Sequence, residues 1–115
     1  MLAWNNLTDI AQVNAIQEKS HQIPCVIFKH STRCSISTTA KARLERNWQF
    51  GADDVHAYYV DLLNHRELSN QLAAVFAVHH ESPQVLLIIK GECVYDESHN
   101  AISVADLATE IQRYV

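Results

Sequence analysis

Several features common in other protein classes are scarce here, and each scarcity narrows the field. Glycine and proline number only 2 each in 115 residues, which excludes collagen-like and Pro/Gly-rich disordered chains. The longest unbroken aliphatic run, Val85 to Ile89, is far short of the roughly 18 to 20 apolar residues a membrane helix needs. Met1 to Leu7 has no basic patch leading into an apolar stretch and no small-residue cleavage site, so no export is expected and the cytoplasm is the default location. Positive charge is also sparse, with 9 Lys and Arg against 13 Asp and Glu for a net charge of -4. The basic residues are scattered, so nucleic acid is not an expected partner. The three cysteines, Cys25, Cys34 and Cys93, are odd in number and lack CxxC pairing. That argues against a disulfide framework and leaves room for one reactive thiol. What is present is enough for a core: 48% hydrophobic residues in a chain of one-domain length, so a single domain over residues 1–115 is expected.

Hydrophobic spacing orders the elements. Asn6 or Thr8 is placed to cap a helix carrying Ile10, Val13 and Ile16. Cys25-Val26-Ile27-Phe28 after Pro24 is an apolar run with little alternation, as in a strand covered on both faces. From Cys34 onward, Ile36, Ala40, Leu44 and Trp48 recur every four residues, and Gly51 follows as a stop signal. Val55 to Leu63 reads as a second inner strand, followed by Asn64 and Glu67 as a capping pair for a helix with Leu68, Leu72, Val75 and Phe76. Ser82-Pro83 then introduces Val85 to Ile89, Lys90-Gly91-Glu92 makes a hairpin turn, and Cys93-Val94-Tyr95 returns. Ser103 and Asp106 form a capping box before the last amphipathic helix, with Val104, Leu107 and Ile111. A short strand near Ala3 to Leu7 completes the set. Strand-helix-strand crossovers ahead of a terminal hairpin predict an α/β fold, a mixed sheet with helices on both faces.

The turn after the first inner strand, Phe28-Lys29-His30-Ser31-Thr32-Arg33-Cys34-Ser35-Ile36-Ser37, carries the chemistry. A helix beginning near Cys34 places the thiol where unpaired amide N–H groups and the positive end of the helix dipole favour a thiolate. Arg33, and Lys29 or His30 if their charges face the sulfur, push the same way, and the Ser37 hydroxyl lies three residues on. On this local argument alone Cys34 is equally readable as an inert helix-capping residue.

The order of elements resembles the thioredoxin fold over nearly the whole chain, with a mixed central sheet, a C-terminal antiparallel hairpin and helices on both faces. The ten-residue segment from Phe28 to Ser37 is similar to the active-site signature of the YtxJ-like monothiol bacilliredoxins, the redox family of the bacillithiol system. That family often has Pro after the cysteine, whereas this chain has Ser35. The resemblance implies that Cys34 attacks mixed disulfides between client proteins and the small thiol bacillithiol, a co-substrate, with no cofactor bound. Ser37 then stands where dithiol relatives carry a resolving cysteine, with Arg33 as electrostatic support and Thr32 and Ser37 as donors to the sulfur. It further implies that Pro83 is a cis-proline facing the thiol, and that Ser82, Pro83, Lys29 and His30 contact the substrate. An isolated X-Pro bond would by default be trans.

Cys25 lies at the far end of its strand, roughly 17 Å from the motif at about 3.3 Å per residue, and Cys93 follows a strand running away from it. Both are beyond disulfide reach and are assigned to the core. Three other readings stay open: a metal site from Cys34, His30 and one of His79 or His80; an iron-sulfur carrier, since monothiol glutaredoxins also have Cys-x-x-Ser, though with Gly-Phe where this chain has Ser35-Ile36; and a docking module anchored by Tyr58, Tyr59, Tyr95, Tyr114, Trp4 and Trp48.

Overall fold

The computed structural model describes residues 2–31 and 35–114. Among the described residues five strands and four helices follow in the order β1 (Trp4–Asn6), α1 (Ala11–Lys19), β2 (Cys25–His30), α2 (Ser35–Asn47), β3 (His56–Asp61), α3 (Arg66–Val75), β4 (Gln84–Ile89), β5 (Glu92–Ser98) and α4 (Val104–Tyr114). A short 3-10 helix, His99–Ala101, links β5 to α4. The strands form one mixed sheet in the order β1-β3-β2-β4-β5. β3 pairs in parallel with β1 and β2, while β4 runs antiparallel to β2 and to β5.

The two central strands explain the packing. Every residue of β2 and of β4 is buried, because successive side chains point to opposite faces and helices cover both. On one face Val26, Phe28, Val85 and Leu87 meet Ala40 and Leu44 of α2 and Leu107 and Ile111 of α4. On the other, Cys25, Ile27, Leu86 and Ile88 meet Val13 and Ile16 of α1 and Leu68 and Leu72 of α3. Helices therefore do lie on both faces, as the sequence pattern predicts.

The hairpin closes through Lys90 and Gly91, both with positive φ (54° and 82°), the combination a two-residue type I′ turn requires. Glu92 already belongs to β5. The hairpin tip is tied to the end of α1: Gly91 N–H donates to Ser20 Oγ at 2.7 Å and Lys90 N–H to the Ser20 carbonyl at 3.0 Å.

Several expected boundaries differ. Neither Asn6 nor Thr8 caps α1; Asp9 Oδ1 accepts from Ala11 N–H at 3.0 Å, and Gln12 Oε1 accepts from the N–H groups of Thr8 and Asp9. The Asn64–Glu67 pair does not cap α3, because Asn64 gives its amide to Asp61 at 2.8 Å and the helix starts behind His65 without a side-chain cap. Ser103 does cap α4, accepting from Asp106 N–H at 3.2 Å. α2 ends at Asn47, ahead of Trp48, which packs edge-on against Phe50 at 5.0 Å. β3 is shorter than Val55 to Leu63, since Val55 joins a turn closed on the Gly51 carbonyl and the segment after Asp61 turns toward α3.

Leu87, wholly buried between β2 and β5, sits where a truncated side chain leaves a cavity the sheet cannot close. Leu87→Ala is expected to cost about 2 to 5 kcal/mol, read as a lower midpoint in guanidinium unfolding. A change under about 1 kcal/mol contradicts this packing.

Candidate active site

The candidate site lies at the sheet end where β2 finishes and β4 begins. The antiparallel register pairs Lys29 with Gln84, so one further step sets Pro83 beside His30. β2 ends at His30 and α2 opens at Ser35. Thr32, Arg33 and Cys34, three of the expected site residues, lie outside the described residues. The segment carrying them is bounded by a contact between its two ends: Ser31 N–H donates to Ser37 Oγ at 3.4 Å. Ser37 is wholly buried in the first turn of α2, which contains no acidic residue to offset the helix dipole.

On the opposite side of the site the Ser82–Pro83 peptide is cis. Pro83 is buried, and its carbonyl accepts from His99 N–H at 3.0 Å, tying the 3-10 helix to this loop. Arg43 of α2 holds the same 3-10 segment through two bonds to the Ile102 carbonyl, at 2.9 and 3.1 Å. Glu81 bridges two histidines, His79 at 3.4 Å and His99 at 3.5 Å. Gln84 pins the loop from beneath: its amide donates to the His79 carbonyl at 2.9 Å and its Oε1 accepts from Glu81 N–H at 3.4 Å. Ser82 Oγ is buried without a partner among the described residues.

Lys29 and His30 need correction. Both were expected to contact substrate, yet Lys29 is fully buried and His30 is 4% exposed. They point to opposite faces of the sheet because they are consecutive in a strand. His30 lies on the α2 face between the rings of Phe28 and Tyr59, at 5.7 and 5.5 Å, and its Nδ1 has no partner among the described residues. Burial, helped by the Lys41 charge, holds its pKa below the ordinary histidine value, so it is neutral at pH 7 and lends no cationic charge to a thiol. Lys29 faces the other way, toward α3. Burial lowers its pKa to about 8, against the opposing pull of Cys93 and Asp96. Its Nζ lies 3.3 Å from His80 Nδ1, and Ser69 Oγ lies 3.4 Å from the same nitrogen. Sequence reasoning missed this role of His80. The signal was a lysine continuing a doubly covered strand, which demands a buried partner, but nothing in local spacing identifies one 51 residues away.

The other two thiols are unlike a nucleophile. Burial raises both Cys25 and Cys93 to a pKa of about 11, so each is a protonated thiol at neutral pH. Cys25 is wholly buried and donates to the Ile23 carbonyl at 3.4 Å; Cys93 is half-buried and donates to the Tyr95 carbonyl at 3.4 Å. Ile88 pairs with both residues, one on each side. They are therefore two strand spacings apart, about 10 Å, beyond disulfide reach.

The metal reading turns on Cys34, which lies outside the described residues; among the described residues no three His, Cys, Asp or Glu side chains converge on a metal position. His30 and His80 are moreover engaged on opposite sides of the sheet. Of the aromatic anchors, Trp4, Trp48, Tyr59 and Tyr95 pack on one core and Tyr58 on the other, leaving Tyr114 exposed. No helix among the described residues is long and apolar enough to cross a membrane.

Residues 5–107 match the family model described as monothiol bacilliredoxin BrxC. The chain belongs to this family. Among solved structures, it is similar to one described as a candidate oxidoreductase with a thioredoxin fold, at 31% identity and a TM-score of 0.77 over 92% of this chain and 91% of that one. Thioredoxin from Trypanosoma brucei brucei matches at 14% identity and a TM-score of 0.74, covering 97% of this chain and 90% of that one. Thioredoxin from Schistosoma mansoni matches at 18% and 0.69, covering 97% and 95%. These last two show the fold alone: it is the thioredoxin fold. Family and fold together support a role as a thiol oxidoreductase.

The buried His30 and the half-buried His80 set an acid limit on stability. His30 and His80 both hold protons more weakly in the folded chain than the ordinary value of 6.5. As pH falls through that value the unfolded chain takes up protons that the folded chain refuses, so stability is full above it and declines below it. The thermal midpoint is expected to drop between about pH 7.5 and about pH 5, and His30→Phe should lessen the drop. A midpoint that holds or rises over this range contradicts the assignment.

Proposed function

We propose that the protein is a monothiol oxidoreductase that removes bacillithiol from mixed disulfides on client proteins, with Cys34 as nucleophile. The Cys34 thiolate attacks the bacillithiol sulfur of the client mixed disulfide. A new disulfide forms between Cys34 and bacillithiol, the old disulfide breaks, and the client leaves as a thiolate that takes up a proton. A second low-molecular-weight thiol then attacks the Cys34 adduct, releasing a small-molecule disulfide and restoring the free thiol. No bound cofactor is needed, and a cytoplasmic setting suits a thiol cycle of this kind.

One observation carries the reading: in a chain of the bacilliredoxin family, a lone cysteine immediately precedes α2, and the first turn of that helix holds a buried serine, Ser37, in place of a second cysteine. With no resolving thiol at the motif, and with Cys25 and Cys93 distant and protonated, the cycle must pass through a mixed disulfide with an external thiol. Arg33 and the unpaired N–H groups of α2 favour the thiolate, and Thr32 and Ser37 are donors to it. Ser82 offers backbone groups to a client segment in short β-like pairing beside Pro83.

The test uses a bacillithiolated client protein and follows bacillithiol release. Cys34→Ser is expected to abolish release, while Cys93→Ser retains it within about twofold, since Cys93 is outside the cycle. Release by Cys34→Ser at the native rate would overturn the assignment.

A further inference from the structure

The loop that carries Ser82 and Pro83 is anchored by one imidazole nitrogen. Three elements meet at His80 Nδ1: Lys29 Nζ from β2 at 3.3 Å, Ser69 Oγ from α3 at 3.4 Å, and the loop itself through His80. Lys29 and Ser69 are both wholly buried, so neither finds an alternative partner in water. An ammonium only donates hydrogen bonds. Nδ1 must therefore be the acceptor and the ring proton sits on Nε2. The Lys29 contact exists only while His80 is neutral, whereas the Ser69 hydroxyl donates to the neutral ring and can accept from a protonated one. A protonated His80 would lose its acceptor lone pair and set an imidazolium 3.3 Å from the buried Lys29 ammonium.

We propose that His80 is the positioning residue of the docking edge: its neutral imidazole, held by Lys29 and Ser69, fixes the loop bearing Ser82 and Pro83, and its protonation breaks the Lys29 tie and loosens that loop. The functional half of this inference rests on the reading that Ser82 and Pro83 dock the client. The structural half does not.

The charges around His80 favour the neutral form. Burial opposes protonation most, and Lys29 of β2 and Arg66 of α3 add to it; on its own loop Glu81 favours protonation and His79 opposes it. Asp96 of β5 acts on the Lys29 side, as does Cys93. Gln84 is the second tie on the loop and does not titrate; it bonds the His79 carbonyl, Glu81 N–H and, at 3.4 Å, the Asp96 carboxylate. Loss of the Lys29 contact therefore loosens the loop where it meets β2 while its register in β4 stays fixed.

His80→Asn is the informative variant, because its side-chain oxygen occupies the place of Nδ1 as acceptor and cannot be protonated in this range. The experiment is an NMR titration of the intact protein, following the His80 ring and the Ser82 and Gln84 amides. In the native chain the two amides are expected to titrate with the same midpoint as the His80 ring. In His80→Asn that transition disappears, and in Lys29→Met it moves to higher pH because the opposing ammonium is gone. In parallel, client KM is expected to rise by about tenfold per pH unit below the His80 midpoint in the native protein. In His80→Asn it stays flat, while the thiol's own pH dependence, read by iodoacetamide alkylation, is unchanged. Amides that ignore the His80 ring, or an unaltered transition in His80→Asn, overturn the proposal. A protein that shows the amide transition but never reacts with a bacillithiolated client at any pH retains the loop anchor and loses the functional reading.

Discussion

The rest of this structure depends on the burial of β2 on both faces. A strand flanked by a parallel and an antiparallel neighbour, and covered by two helix pairs, has no solvent-facing side on which to place a polar residue. Its last two residues are nonetheless Lys29 and His30. Each must be accommodated within the fold, and the two solutions differ: His30 is kept neutral among aromatic rings, and Lys29 is given an imidazole acceptor by the loop leading to β4. A chain leaving such a strand enters α2 within a few residues, and the Ser31–Ser37 contact closes that connection.

The same constraint accounts for how much was legible in the sequence. The apolar runs Cys25 to Phe28 and Val85 to Ile89 were readable as central strands because neither alternates, and the turn at Lys90-Gly91-Glu92 because a glycine among polar residues interrupts two strand-forming runs. The motif around Cys34 was readable because type and spacing carried it. Caps were less so: Asn64 has the side chain of a cap, but Asp61 at the end of β3 takes its amide and it turns back there rather than capping α3. Lys29 and His30 were misplaced for a related reason. Their residue types suggest a polar rim, but depth in a sheet is set by what covers it, and the partner of Lys29 comes from a loop far along the chain.

Division of labour among the three cysteines follows from the same geometry. Burial drives Cys25 and Cys93 toward the protonated thiol, and their carbonyl contacts satisfy the S–H groups as donors. Cys34 directly precedes α2 in the sequence, and the first turn of that helix contains no acidic residue. On the proposed function, thiol chemistry is confined to one position, without a second thiol to resolve it.

The most direct test of that account is to incubate the reduced protein with bacillithiol disulfide, and separately with glutathione disulfide, and weigh the intact products beside Cys34→Ser. The account predicts a single bacillithiol adduct on the native chain, absent from Cys34→Ser and formed more slowly with glutathione. No adduct, or modification spread over Cys25 and Cys93, would contradict it.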